Sequence, residues 1–260
     1  MRDLVRDQKA NDPAGLMKLL WRDSVDIVPK PGRKRGLAIE GLIEAAIGIA
    51  DEHGLAAMTI RGLAAALHKP TMTIYTYVSG KAELVPLMLD TIYQRMDRSA
   101  PADRDWRDKV VRIAEDNRRL FERHPWAADV SFGRPSLGPG TIAKYEYELA
   151  ALEDLGVDDV TRDSVLTHIL VVVAAVARAS ANQDLEVRSS AQSDEEWWRE
   201  NAPFLALAFD PEKFPLAARI GAAAGDALGG AFNAEHSWTF AVDRMIDGIE
   251  ALIGRGRSST

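Results

Sequence analysis

The chain has 260 residues, 47% of them apolar, a formal net charge of −7 and no cysteine. That length allows one large or two modest domains with a substantial core. The missing thiol excludes disulfides, thiolate zinc sites and a cysteine nucleophile.

Residues 1–35 read as an extension. Its start, Met1-Arg2-Asp3-Leu4-Val5-Arg6-Asp7, is charged and lacks the apolar core of a signal peptide. Asp12-Pro13 predicts the opening of a short helix that bears Leu16, Leu19, Leu20 and Trp21. Residues 29–36 then read as an extended linker. Within it Arg33, Lys34 and Arg35 form a basic arm, suited to a minor groove or a phosphate row, or else a free tail.

A first long helix is predicted over 37–53, broken at Gly54. Thr59-Ile60-Arg61 opens a second, with Leu63, Ala64 and Leu67 on one side. His68-Lys69-Pro70 interrupts the pattern. The third segment, 71–78, places Ile74 and Val78 one turn apart. Thr71, Met72, Thr73, Tyr75, Thr76 and Tyr77 are left around the remaining surface. A short helix that buries so little and displays hydroxyls, a thioether and two phenols is poor core material. It suits insertion into a DNA major groove as the second helix of a helix-turn-helix. Ser79-Gly80-Lys81-Ala82-Glu83-Leu84 opens a connecting helix that reaches about residue 96.

The pattern stays helical to the end. Trp106, Val110, Ile113, Asn117, Leu120 and His124 define a helix over about 104–124, broken by Pro125. Residues 133–140 read as a plain loop. Helices follow over about 141–155, 161–183 and 194–207. A turn at 210–215 leads into a short helix to about 223, and Gly225, Gly229 and Gly230 mark a link. The last helix takes about 235–254. No run of period two and no internal repeat is present. The longest apolar run, 169–177, is too short to span a bilayer, so a soluble cytoplasmic protein without a membrane partner is expected.

From about Gly36 to Met96 the chain resembles the TetR family of one-component transcriptional repressors. The resemblance is carried by the order and spacing of the helices and by Thr-Met-Thr-Ile-Tyr-Thr-Tyr-Val-Ser-Gly-Lys at 71–81. It implies an all-α fold, with a three-helix helix-turn-helix DNA-binding domain at 36–97 followed by a helical ligand-binding and dimerisation domain at 98–260. The sequence departs from the family's pattern at three places. His68 stands where Gly is usual, and His is among the residues that tolerate a left-handed backbone. Lys69 replaces an apolar residue. Pro70 replaces a Ser or Thr cap, so Thr71 is expected to cap a recognition helix that starts slightly later.

The acidity lies in the second half, and the first 97 residues are close to neutral. The local charges of Arg33, Lys34, Arg35, Arg61, Lys69 and Lys81 govern phosphate affinity. Base contacts are expected from Thr71, Met72, Thr73 and Thr76, through hydroxyls and methyls. The resemblance implies a base or phosphate role for Arg61 and phosphate roles for Tyr75 and Tyr77, either of which could instead pack inward. Lys81 lies in a first helical turn, where amides and dipole favour phosphate. Thr59 is read as a cap that can also touch the DNA backbone.

The helix at 161–183 is apolar on more than one face and must be covered on most sides. The last helix is similar. In TetR-like proteins the corresponding pair forms a four-helix dimer interface, which implies a homodimer on a near-palindromic operator. Asn117, His168, Trp126, Phe132, Trp197, Trp198 and Phe204 are candidate walls and anchors of a pocket for an unknown lipophilic or aromatic effector. Singly, His168 reads more simply as a core or interface residue, and the tryptophans as packing. The carboxy-terminal half more loosely resembles the ligand domain of tetracycline repressors, which bind the drug with magnesium. His53, His68, His124, His168 and His236 are scattered, so no metal and no cofactor is expected. The rival readings are an adaptor with a degenerate helix-turn-helix, and an enzyme. For the latter no nucleophile-base pair, phosphate loop or cofactor signature is found.

Overall fold

The computed structural model describes residues 13–24, 35–99, 105–130, 135–230 and 232–257. Among them are twelve α-helices, one short 3-10 turn and no strand. The expected all-α architecture is what the chain adopts.

Helix α1 (Pro13–Leu20) is the predicted helix of the extension. It packs on the connecting helix and buries Leu20. Just beyond it, Arg22 Nε donates to Glu40 at 2.7 Å, and the Trp21 indole donates to the Leu137 carbonyl at 2.8 Å. This part of the extension therefore braces the two domains.

Helices α2 (Arg35–Ala57), α3 (Ile60–Ala66) and α4 (Thr71–Ile74) form the head. Gly54 interrupts α2 at φ 79°, a conformation that glycine adopts without a Cβ clash. The helix resumes briefly, beyond the predicted end. Leu42, Ile43, Met58, Leu63, Ile74 and Val78 close the head's core, together with Leu84 and Leu87 of helix α5 (Lys81–Gln94).

Helix α6 (Trp106–Arg123) is capped by Asp105, whose carboxylate accepts the Arg107 N–H at 2.7 Å. A short helix not foreseen, α7 (Ala127–Val130), follows the break at Pro125. Helix α8 (Pro139–Ala151) starts two residues earlier than expected, because Pro139 is at its first turn, where its missing N–H costs nothing. The predicted continuation to 155 is a separate 3-10 turn, Glu153–Leu155.

The loop read as plain is a close junction. Asp90 of α5, buried, accepts the Thr141 N–H at 2.8 Å and so caps α8 from a neighbouring helix. A Cβ on Gly140 would stand 2.2 Å from the Asp90 carbonyl oxygen, so only glycine lets α5 and α8 pack this closely.

Helix α9 (Asp159–Ser190) runs 32 residues, longer than predicted at both ends. It packs along α6 and along helix α12 (Ala234–Arg257). By length and composition α9 is apolar enough to cross a membrane, with a window of mean hydropathy 1.8. The run at 169–177 understated that apolar stretch. Val165, Leu166, Ile169 and Val173 face the core, but only 28% of the window is buried in the protomer.

Helices α10 (Asp194–Ala208) and α11 (Pro215–Leu228) lie outside the core, and α11 buries no side chain. Gly225 lies within α11, so the link begins at Gly229, which caps the helix at φ 71°.

Candidate functional site

The reading surface is built from the turn between α3 and α4. Thr59 caps α3 as expected, its hydroxyl accepting the Gly62 N–H at 3.0 Å. At the other end His68 takes φ 51°, the left-handed backbone that the turn requires. The His68 N–H bonds the Ala65 carbonyl and the Lys69 N–H bonds that of Ala64, at 3.0 and 2.9 Å. This pairing ends a helix and turns the chain sharply.

The regular part of α4 is four residues long, and it begins at Thr71 with Pro70 at its cap position. No side chain caps it, so the expectation that Thr71 caps a later start is corrected. Turn bonds carry the segment on to Val78, whose N–H bonds the Ile74 carbonyl at 3.2 Å. Ile74 and Val78 are fully buried and pin this short segment to the head.

The opposite side is open. Met72 is 74% and Tyr75 49% exposed. Arg61, Lys69 and Thr76 are exposed, while Thr71 and Thr73 are half-buried. The Thr76 hydroxyl donates to the Thr73 carbonyl at 2.7 Å, which leaves it an acceptor towards DNA. Tyr77 packs partly against the core, so of the two phenols Tyr75 is the outward one. The Lys81 ammonium, half-buried, donates to the Leu55 carbonyl and ties the base of α5 to the end of α2. Two further ammonium donors remain for a phosphate. Arg33 and Lys34 lie outside the described residues. Arg35 opens α2, and its side chain lies outside them as well.

The residues nominated for the effector pocket do not come together. Asn117 is buried between α6 and α8, its amide N–H donating to Glu148 at 2.7 Å and to the Ile113 carbonyl at 2.9 Å. Glu148 also holds the Lys144 ammonium, at 2.7 Å to each oxygen. Trp126 is buried at the joint with the head. Its indole donates to Asp51 at 2.7 Å, and His124 Nδ1 lies 2.8 Å from the same oxygen. His168 is exposed on the outer side of α9, in line with Val160, Thr167 and Val171. Phe204 is 72% exposed on α10. Phe132 lies outside the described residues. The shared cause is that periodicity places a side chain on a helix face without saying what that face meets: Asn117 meets α8, Trp126 the head, and His168 nothing within the described protomer.

Trp197 and Trp198 do line a cavity. They stand 5.4 Å apart by ring centre and close a crevice of about 550 Å³ with Phe232 and the last turns of α9. Ala191 ends α9 at φ 54° and reverses the chain. Ser193 and Glu196 then cap α10 reciprocally, with Ser193 N–H to the Glu196 carboxylate at 2.8 Å and Glu196 N–H to the Ser193 hydroxyl at 3.2 Å. The Ser193 N–H, and after it the Ser193 hydroxyl, donate to the Glu196 carboxylate and hold it below the usual carboxylate range. Asn182, Gln183 and Glu186 complete the crevice. Sequence reading missed these three, although the change of α9 from apolar to polar after Ala181 marks where the helix leaves the core. Among the described residues no three His, Asp or Glu side chains converge as a metal site would require.

A family profile described as "Tetracyclin repressor-like, C-terminal domain" matches residues 99–253. The HTH-type transcriptional repressor DrrR1 of Streptomyces coeruleorubidus is 31% identical over 252 residues, covering 96% of this chain and 90% of that protein. An HTH-type transcriptional regulator of Saccharopolyspora erythraea is 30% identical over 120 residues, 46% of this chain and 51% of its own length. Among solved structures, Streptomyces coelicolor ActR in complex with actinorhodin superposes with a TM-score of 0.68 at 20% identity, over 86% of this chain and all of that one.

Proposed function

The chain belongs to the TetR family of transcriptional regulators, and from that premise we propose that it is a repressor that binds a near-palindromic operator as a homodimer and leaves it when an aromatic or lipophilic effector binds. One observation carries the DNA reading. A segment anchored chiefly by Ile74 and Val78 turns Met72, Tyr75 and Thr76 outward, beside the exposed cations Arg61 and Lys69. A thioether and methyls meet thymine methyls, hydroxyls meet base edges, and the cations meet phosphate or guanine.

The dimer reading rests on unburied faces. Val160, Thr167, His168, Val171 and Ala175 form one exposed stripe along α9, and His236 and Phe240 begin another on α12. The two helices pack together, so both stripes are available to a second copy. The effector reading rests on the crevice at Trp197 and Trp198, whose volume and aromatic lining suit a small molecule. A repressor of this design works in the cytoplasm, where its operator lies.

The test is selection of duplexes by the purified protein from random DNA, followed by sequencing. A motif with twofold symmetry, bound less tightly as salt rises, supports the reading. No enrichment, and no retention of duplexes even at very low ionic strength, overturns it.

A further inference from the structure

The crevice between the end of α9 and the start of α10 has an uneven chemistry. Its aromatic lining is Trp197, Trp198 and Phe232, and its neutral polar groups include Asn182 and Gln183. Among the described residues Glu186 is its one charged lining residue, and no Lys, Arg or His lines it. The hydroxyls of Ser189 and Ser190 bond the Glu186 carbonyl, at 3.1 and 2.8 Å, and leave its carboxylate untouched. An anionic effector would find no counter-charge here and would meet a carboxylate.

The ring faces point the same way. Elsewhere the chain covers indoles with its own guanidinium groups: Arg107 lies 4.5 Å over Trp106, and Arg118 lies 4.8 Å over Trp238. Trp197 and Trp198 carry no such cation among the described residues. A cation over an outward indole face is attracted by its quadrupole, and a carboxylate nearby adds to that attraction. Ligand-sized volume, an indole pair with outward surface and, among the described residues, one acidic side chain are thus combined in one place.

Resting on the reading of the crevice as the effector site, we propose that the effector is a planar aromatic compound bearing a protonated amine, and that Glu186 selects it. The amine lies against Glu186 and an outward indole face, while the planar body lies along the crevice against the Trp197–Trp198 pair and Phe232. The side-chain amide of Asn182 holds its polar substituents, while that of Gln183 donates to the Phe232 carbonyl at 3.4 Å and keeps Phe232 in the wall. Specificity against neutral analogues then comes from one carboxylate, and specificity against anions from the same group by repulsion.

The test uses the full-length protein without DNA, because acridines intercalate. Calorimetry compares three tricyclic probes at neutral pH: aminoacridine as the cation, acridine as the neutral form and acridine carboxylate as the anion. The cation should bind about tenfold tighter than the neutral probe, and the anion weakest. Glu186→Gln should erase the gap between cation and neutral probe, and Glu186→Lys should invert the order. Circular dichroism of both variants should match the parent, since Glu186 is exposed. If Trp197→Ala weakens every probe alike while charge makes no difference, the crevice stands and the selection by Glu186 is overturned. If no probe binds and Glu186→Lys instead alters the sedimentation of the protein, the crevice is a subunit contact and both readings fall.

Discussion

The carboxylate of Asp51 accepts the indole N–H of Trp126 at 2.7 Å. One partner belongs to the first long helix of the DNA-reading head, the other to the break between α6 and α7 in the effector domain. His124 shares the same acceptor at 2.8 Å, so a single carboxylate fastens two groups of one domain to the other. The joint thus links the end of α6 to α2 directly, without passing through α5.

Asp51→Ala leaves the buried Trp126 N–H without its acceptor. Thermal or urea denaturation should show a loss of about 1–3 kcal/mol. Trp126→Phe removes the donor with its ring kept and should cost less. The double variant should fall short of the sum, because the two changes break one bond. Simple additivity would show that the joint is not coupled.

The proposed DNA contacts divide into two kinds. Arg61→Ala or Thr71→Ala should change which bases are preferred, at about 1–3 kcal/mol per lost base contact. Tyr75→Phe, at the outward phenol, should weaken binding evenly across sequences. Ile74→Ala acts differently, since a cavity under the recognition segment should cost about 2–5 kcal/mol of fold stability. Selection experiments on the first group and denaturation of the last separate reading from scaffolding.

His68 holds a left-handed backbone at φ 51° that most side chains resist. His68→Gly should therefore raise stability by about 1 kcal/mol. A loss on urea denaturation would mean that the imidazole contributes something the backbone argument omits.

Two glycine substitutions should move in opposite directions. Gly140→Ala drives a Cβ to 2.2 Å from the Asp90 carbonyl oxygen and should cost about 1–3 kcal/mol or more by forcing α5 and α8 apart. Gly48→Ala meets nothing within 4 Å on an exposed face of α2 and should gain about 0.5–1 kcal/mol from helix propensity. Melting curves of the pair check both.

Acid should loosen the start of α10 and of α9. Ser193 holds the Glu196 carboxyl low, and Thr161 does the same for Asp158. Their folded values lie below the unfolded ones, so the unfolded chain takes up protons first. The stability they give is complete above the ordinary carboxylate range and is lost as pH falls through the lower folded values. Far-ultraviolet circular dichroism against pH should show this loss, and Glu196→Gln should remove part of it.

The order of the helices, the cap at Thr59, the break at Gly54, the left-handed turn at His68 and the Ile74–Val78 anchor were all legible in the chain, because each depends on neighbours within a turn or two. Local spacing carries that information directly. The fate of Trp126, Asn117 and His168 was not legible, since periodicity places a residue on a helix face and leaves open what that face meets. Whether an apolar face meets a core, a joint, a crevice or a second copy depends on contacts between residues far apart in sequence. Asp51 with Trp126, Trp21 with Leu137 and Asp90 with Thr141 exist only once the helices have packed, and tertiary structure alone decided them.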